Sequence, residues 1–128
     1  VVGIEEYERS LGIEEELTAI CRKVAFDVLG RAGFRAWDFS EVLENTPEEL
    51  SELAERIREY GRRAEHHPDL LAQKGSEVYA IVLLPGEQVL GESRRRALLL
   101  AKEYSLIPAV FTAAVNISIP FSSLELVP

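Results

Sequence analysis

The densest concentration of reactive side chains in the chain is His66-His67-Pro68-Asp69. Imidazoles beside a carboxylate suit metal binding or proton relay. Adjacent side chains on an extended segment point to opposite faces, so the two histidines do not converge on one ion. No further histidine exists to complete a site. A polar loop leading into a strand accounts for the same residues. A second constellation is Arg94-Arg95-Arg96, placed where a helix is expected to begin. Cations there oppose the helix macrodipole, which prefers anions at its N-terminus. Glu87 and Glu92, an acidic partner surface or a phosphate would each offset that cost. Arg62 and Arg63 fall at an expected helix end, where the dipole suits them.

Acidic residues form a third group: Glu5, Glu6, Glu14, Glu15 and Glu16. Near helix starts such carboxylates stabilise through the dipole, and one of them could instead serve as a metal ligand. Cys21 is the only cysteine, which excludes an internal disulfide and a cysteine-based zinc site. Its apolar neighbours recur at helical spacing, so a buried, inert thiol is expected. Pro85-Gly86 and Gly91 lack the spacing and the Lys-Ser/Thr pair of a phosphate loop, and no Gly-x-Ser-x-Gly elbow occurs. Trp37 and Tyr79 stand apart in sequence and read as core or rim rather than as a base-stacking platform.

The elements that position these groups follow from apolar periodicity. Ile13, Leu17, Ile20, Cys21, Val24, Val28 and Leu29 mark one face of an amphipathic helix that Gly30 and Gly33 end, with a separate short helix expected over 4–10. Phe34, Ala36 and Phe39 suggest a short strand. Thr46 as cap, Pro47 at the first helical position and Glu49 closing a capping box predict another helix, with Leu50, Leu53, Ala54, Ile57 and Tyr60 as its stripe. Asp69 to Ala72 reads as a short buried strand. Val78 to Leu84, almost continuously apolar, reads as a central strand covered on both faces. A helix over Ser93 to Tyr104 then leads to another buried strand over Ile107 to Ala113, forming a crossover unit. Residues 115–127 alternate loosely and suit one or two edge strands, broken at Pro120.

This order predicts one α/β domain over 1–128, a mixed sheet with flanking helices. The chain has 128 residues, of which 47% are apolar and 28% charged, as in an ordinary globular domain. Its net charge of −8 disfavours contact with nucleic acid phosphates unless the few cations cluster. No apolar run approaches the roughly 18 residues that span a bilayer, so no membrane role and a cytoplasmic location are expected.

From Pro68-Asp69 onward the pattern resembles the restriction-endonuclease-like nucleases, including archaeal Holliday-junction resolvases. Glu14 to Glu16 stand where that family has a helix carrying a Glu, and Gly33-Phe34 matches its Gly-aromatic step into a strand. Pro68-Asp69-Leu70-Leu71-Ala72 matches its Pro-Asp element, Gly75 lies in the turn, and Tyr79 to Leu84 is the next strand. Residues 46–64 would then be a helical insertion. The family holds Mg²⁺ with an Asp and the Glu of a Glu-x-Lys motif, and its Lys positions or activates the attacking water. In this chain Val82 occupies the Glu position and Leu84 the Lys position. Neither side chain can bind a cation or stabilise charge. The resemblance therefore implies a remnant site of Asp69, His66 and Glu15 with no catalytic residue, no resident metal and no cofactor. A weaker similarity to the C-terminal domains of archaeal tRNA-splicing endonucleases implies a site of Tyr, His and Lys, and those three are not placed together here.

Three readings remain open. The first is a non-catalytic nuclease-like domain, a structural or nucleic-acid-targeting subunit, with Arg62, Arg63, Arg94, Arg95 and Arg96 in one basic patch. The second is a protein-assembly module or homo-oligomer, with arginines paired to carboxylates and an apolar sheet edge near Ile117 to Leu126. The third is an active Mg²⁺-dependent nuclease in which Glu87 or Glu92 has migrated to join Asp69.

Overall fold

The computed structural model describes residues 4–85 and 89–113, with side chains from Glu15 onward. A single helix, α1 (Ile4–Arg31), replaces the two expected at its start. Gly12 does not break it, since an isolated glycine costs only about 1 kcal/mol against alanine. Gly33, at φ 89°, turns the chain into strand β1 (Arg35–Asp38).

Phe39, expected in that strand, instead opens a short helix α2 (Phe39–Glu44). The predicted capping box does not form. The hydroxyl of Thr46 donates back to the carbonyl of Val42 at 3.1 Å, and Glu49 pairs with Arg35 at 2.6 Å. With neither side chain left to cap, Pro47 leads into a 3-10 turn (Glu48–Leu53) before helix α3 (Ala54–Arg63) begins.

Strands β2 (Leu70–Lys74) and β3 (Glu77–Pro85) form a hairpin around Gly75-Ser76. Gly75 has φ 64°, and a positive φ at the first of two turn residues is what a type II′ hairpin turn requires. Helix α4 (Glu92–Glu103) follows, then strand β4 (Ile107–Ala113). The strand order is β1-β2-β3-β4, antiparallel except for the parallel β3–β4 pair that α4 connects. The protein is thus an α/β fold, a mixed four-stranded sheet flanked by helices. The edge strands expected over 115–127, including Ile117 to Leu126, lie outside the described residues.

Alternation along the strands builds two cores. Leu71, Val78 and Ala80 face one way and meet Phe39, Val42, Leu50, Ile57, Tyr60, Ala101 and Leu106. Leu70, Ala72, Ile81 and Leu83 face the other way and meet Cys21 and Ala25 of α1. No helix among the described residues is long and apolar enough to cross a membrane.

Candidate functional site

Asp69 stands one residue before β2, opposite the second half of β3. Its backbone still belongs to the sheet: its N–H donates to Ile81 O at 2.8 Å, and its carbonyl accepts from Phe39 N at 3.0 Å. Its side chain extends the ladder beyond the strand. Oδ2 accepts from the Leu83 N–H at 2.7 Å, so a carboxylate does what a further β2 carbonyl would have done. The guanidinium of Arg22, from α1, lies 3.8 Å from Asp69 Oδ1 and pairs directly with Asp38 at the end of β1. Arg94, from α4, reaches the carbonyl of Leu83 at 3.4 Å. Side chains from outside β3 therefore hold both backbone polar groups of one residue, Leu83.

This cluster joins α1, β1, the start of β2, β3 and α4. It holds two guanidinium groups and two carboxylates, so its charges cancel. Arg22, Asp38, Asp69 and Arg94 are all half-buried, and among the described residues no buried side-chain polar atom lacks a partner. The arrangement suits a structural clasp. Arg22 and Asp38 were not evident as site residues in sequence. The available signal was a lone arginine beside Cys21 and Ala25, on the buried face of an otherwise apolar helical stripe.

The other remnant-site residues do not join Asp69. Glu15 is exposed on α1, seven residues before Arg22 and so about 10 Å away along the helix axis. His66 is exposed in the loop after α3. Its neighbour His67 is held through Nε2 by Gly61 O at 2.7 Å and lies against the Phe39 ring. Val82 is 1% exposed and Leu84 9%. Alternation turns both away from α1, while Ile81 and Leu83, on the α1 side, are apolar as well. Mg²⁺ requires several oxygen ligands in octahedral array. The donor set does not fit it, because β3 supplies no side-chain oxygen there and Arg22 already stands beside both carboxylates. No group of three or more His, Cys, Asp or Glu placed to hold a metal ion occurs among the described residues. Glu92, 77% exposed, pairs with Arg96 at 3.0 Å rather than approaching Asp69, and Glu87 lies outside the described residues.

The arginines of the two basic groups partly converge. Arg63 and Arg96 line one recess of about 290 Å³ with Ala64, Glu65, Ser93 and Ala97. Both are already paired: Arg63 with Glu103 at 2.9 Å and the Tyr104 hydroxyl at 3.1 Å, Arg96 with Glu92. Arg62 pairs with Glu59 at 2.8 Å. Arg95 is exposed, with no ion-pair partner among the described residues. Burial raises the Cys21 thiol above its ordinary pKa, which keeps it protonated and unreactive.

Comparison with protein-family models, with curated proteins and with solved structures finds no match to this chain.

Proposed function

We propose that this chain is a non-catalytic domain of nuclease-like architecture that serves as a structural subunit of a nucleic-acid-processing complex. One observation carries the reading: Asp69, the acidic residue of the Pro-Asp element, is engaged by Leu83 N–H and by Arg22. An arginine from α1 stands beside the carboxylate where a catalytic site would need a divalent cation. The order helix, strand, hairpin, helix and parallel strand supports the reading, because it is the order the resemblance implies. The helical segments between β1 and β2 take the place of the insertion.

A structural role is favoured over phosphate binding by the state of the arginines. Arg62, Arg63 and Arg96 each hold a carboxylate, so a phosphate would have to displace a bound anion on a chain of net charge −8. The shared recess of Arg63 and Arg96 supports the nucleic-acid-targeting alternative. A salt-dependent titration against labelled duplex, branched and single-stranded DNA and RNA, with Mg²⁺ present, separates the two. Weak binding that is indifferent to Arg63→Ala and Arg96→Ala supports a structural subunit. Tight binding that falls steeply with salt and needs those two arginines overturns it.

A further inference from the structure

Helix α1 presents more apolar surface than the sheet covers. Cys21 and Ala25 are buried against the strands, yet Ile20, Val24 and Val28 are 41%, 37% and 45% exposed. Spaced four apart, and extended by half-buried Leu17, they form a stripe along the flank of the helix away from Arg22. The helix is also long for this sheet. Its 28 residues span about 42 Å, against about 30 Å for the nine residues of β3.

The charges on the same helix say what kind of surface fits the stripe. Between Ile4 and Glu16 the helix carries Glu5, Glu6, Glu8, Glu14, Glu15 and Glu16 against a single Arg9. Between Leu17 and Arg31 it carries Arg22, Lys23 and Arg31 against a single Asp27. Because α1 begins at Ile4, only the first of these glutamates lie in its opening turn, and the dipole does not account for Glu14, Glu15 and Glu16. A helix acidic in one half and basic in the other complements itself when turned end for end. Glu16 and Lys23 lie on one flank of the stripe, Arg31 continues it at its C-terminal end, and all three are exposed. Among the described residues Arg31 pairs with the exposed Asp27 at 3.2 Å, a pair that rearranges at little cost.

We propose that the stripe Leu17, Ile20, Val24 and Val28 is a homodimer interface. It packs against the same stripe of a second copy, antiparallel about a two-fold axis crossing near Ile20 to Val24. Glu16 of each copy then lies toward Lys23 and Arg31 of the other. A two-fold interface of this kind uses one self-complementary patch. A parallel pairing would instead lay the acidic halves on each other. This inference does not depend on how the Asp69 cluster is read.

Sedimentation equilibrium of the full chain tests it, with the melting temperature read alongside to separate lost association from lost folding. Wild type sediments at twice the chain mass. Val24→Asp returns it to the chain mass with helix content retained, and Val24→Cys forms an intermolecular disulfide under mild oxidation. Glu16→Lys weakens the dimer several-fold, as does the pair Lys23→Glu with Arg31→Glu. Combining all three substitutions restores association, which a merely apolar contact would not do. A wild-type chain that stays monomeric at its highest soluble concentration overturns the proposal, and in that case residues 114–128 of the same chain are the occupant to examine next. A dimer indifferent to Val24→Asp, or a triple variant weaker than either parent, overturns it too.

Discussion

The two faces of the sheet have the same apolar lining but different covers. On the face of Leu71, Val78 and Ala80, helices α2, α3 and α4 close the core. Phe39 meets Tyr60 edge-on at 5.7 Å, and the Tyr60 hydroxyl donates to Ala97 O at 2.8 Å, so even the polar tip of the largest buried side chain is partnered. On the face of Leu70, Ala72, Ile81 and Leu83, one helix, α1, does the covering among the described residues. That side carries the clasp of Arg22, Asp38 and Asp69 at one end and the exposed stripe of α1 along its flank. Among the described residues the larger buried cluster lies on the first, closed face, and the clasp and the exposed stripe lie on the second, more open one.

Single substitutions should expose that asymmetry. The largest loss is expected on the closed face. Leu71→Ala, at a position with no exposed surface, should cost about 2–5 kcal/mol in denaturant unfolding. Val28→Ala on the open face should stay within about 0.5 kcal/mol in the monomer. Equal losses would erase the distinction. Next comes the clasp. Arg22→Ala leaves Asp38 and Asp69 half-buried without their cation and should cost about 1–3 kcal/mol. A double-mutant cycle between Arg22 and Asp69 should return a non-zero coupling. A neutral Arg22→Ala would remove the clasp from the account.

A smaller effect, about 1 kcal/mol, is expected for Tyr60→Phe, which deletes the hydrogen bond to Ala97. Burial pushes the Tyr60 phenol from its ordinary 10 to about 12. A raised folded-state value means that the folded chain keeps a proton the unfolded chain has given up. The contribution is complete below about pH 10 and is lost as pH rises from there toward 12. Alkaline unfolding curves should therefore steepen across that window in wild type and flatten in Tyr60→Phe. The smallest effect is expected at Gly61. A Cβ there meets Leu43 Cδ2 at 2.8 Å, but that methyl ends a flexible side chain. The gain of about 1 kcal/mol in helix propensity should roughly offset the shift, leaving the thermal midpoint of Gly61→Ala almost unchanged.

Much of this architecture is legible in the residues. The apolar runs from Val78 to Leu84 and from Ile107 to Ala113 and the amphipathic spacing of α4 specify their elements locally, and the structure has them within a residue or two, although β4, expected to be buried, is half-buried to exposed. The errors fall where tertiary contacts compete with local signals. Glu49 is claimed by Arg35, and Thr46 by Val42 O, so a well-formed capping motif yields a 3-10 turn. Gly12 looks like a boundary until the continuous helix is seen. Asp69 stood out because its neighbours are distinctive, whereas Arg22 and Asp38 did not. An ion pair between positions sixteen residues apart leaves no periodic trace, and only the docking of α1 across the sheet brings the two together.

If Arg22 and the Leu83 N–H occupy Asp69 as proposed, the chain does not support metal-dependent cleavage. The most direct measurement is incubation of the full chain with duplex, branched and single-stranded DNA and RNA, in Mg²⁺ or Mn²⁺, with products resolved on denaturing gels. No cleavage above the protein-free control is expected for any substrate. Product bands that disappear with Asp69→Asn would contradict it.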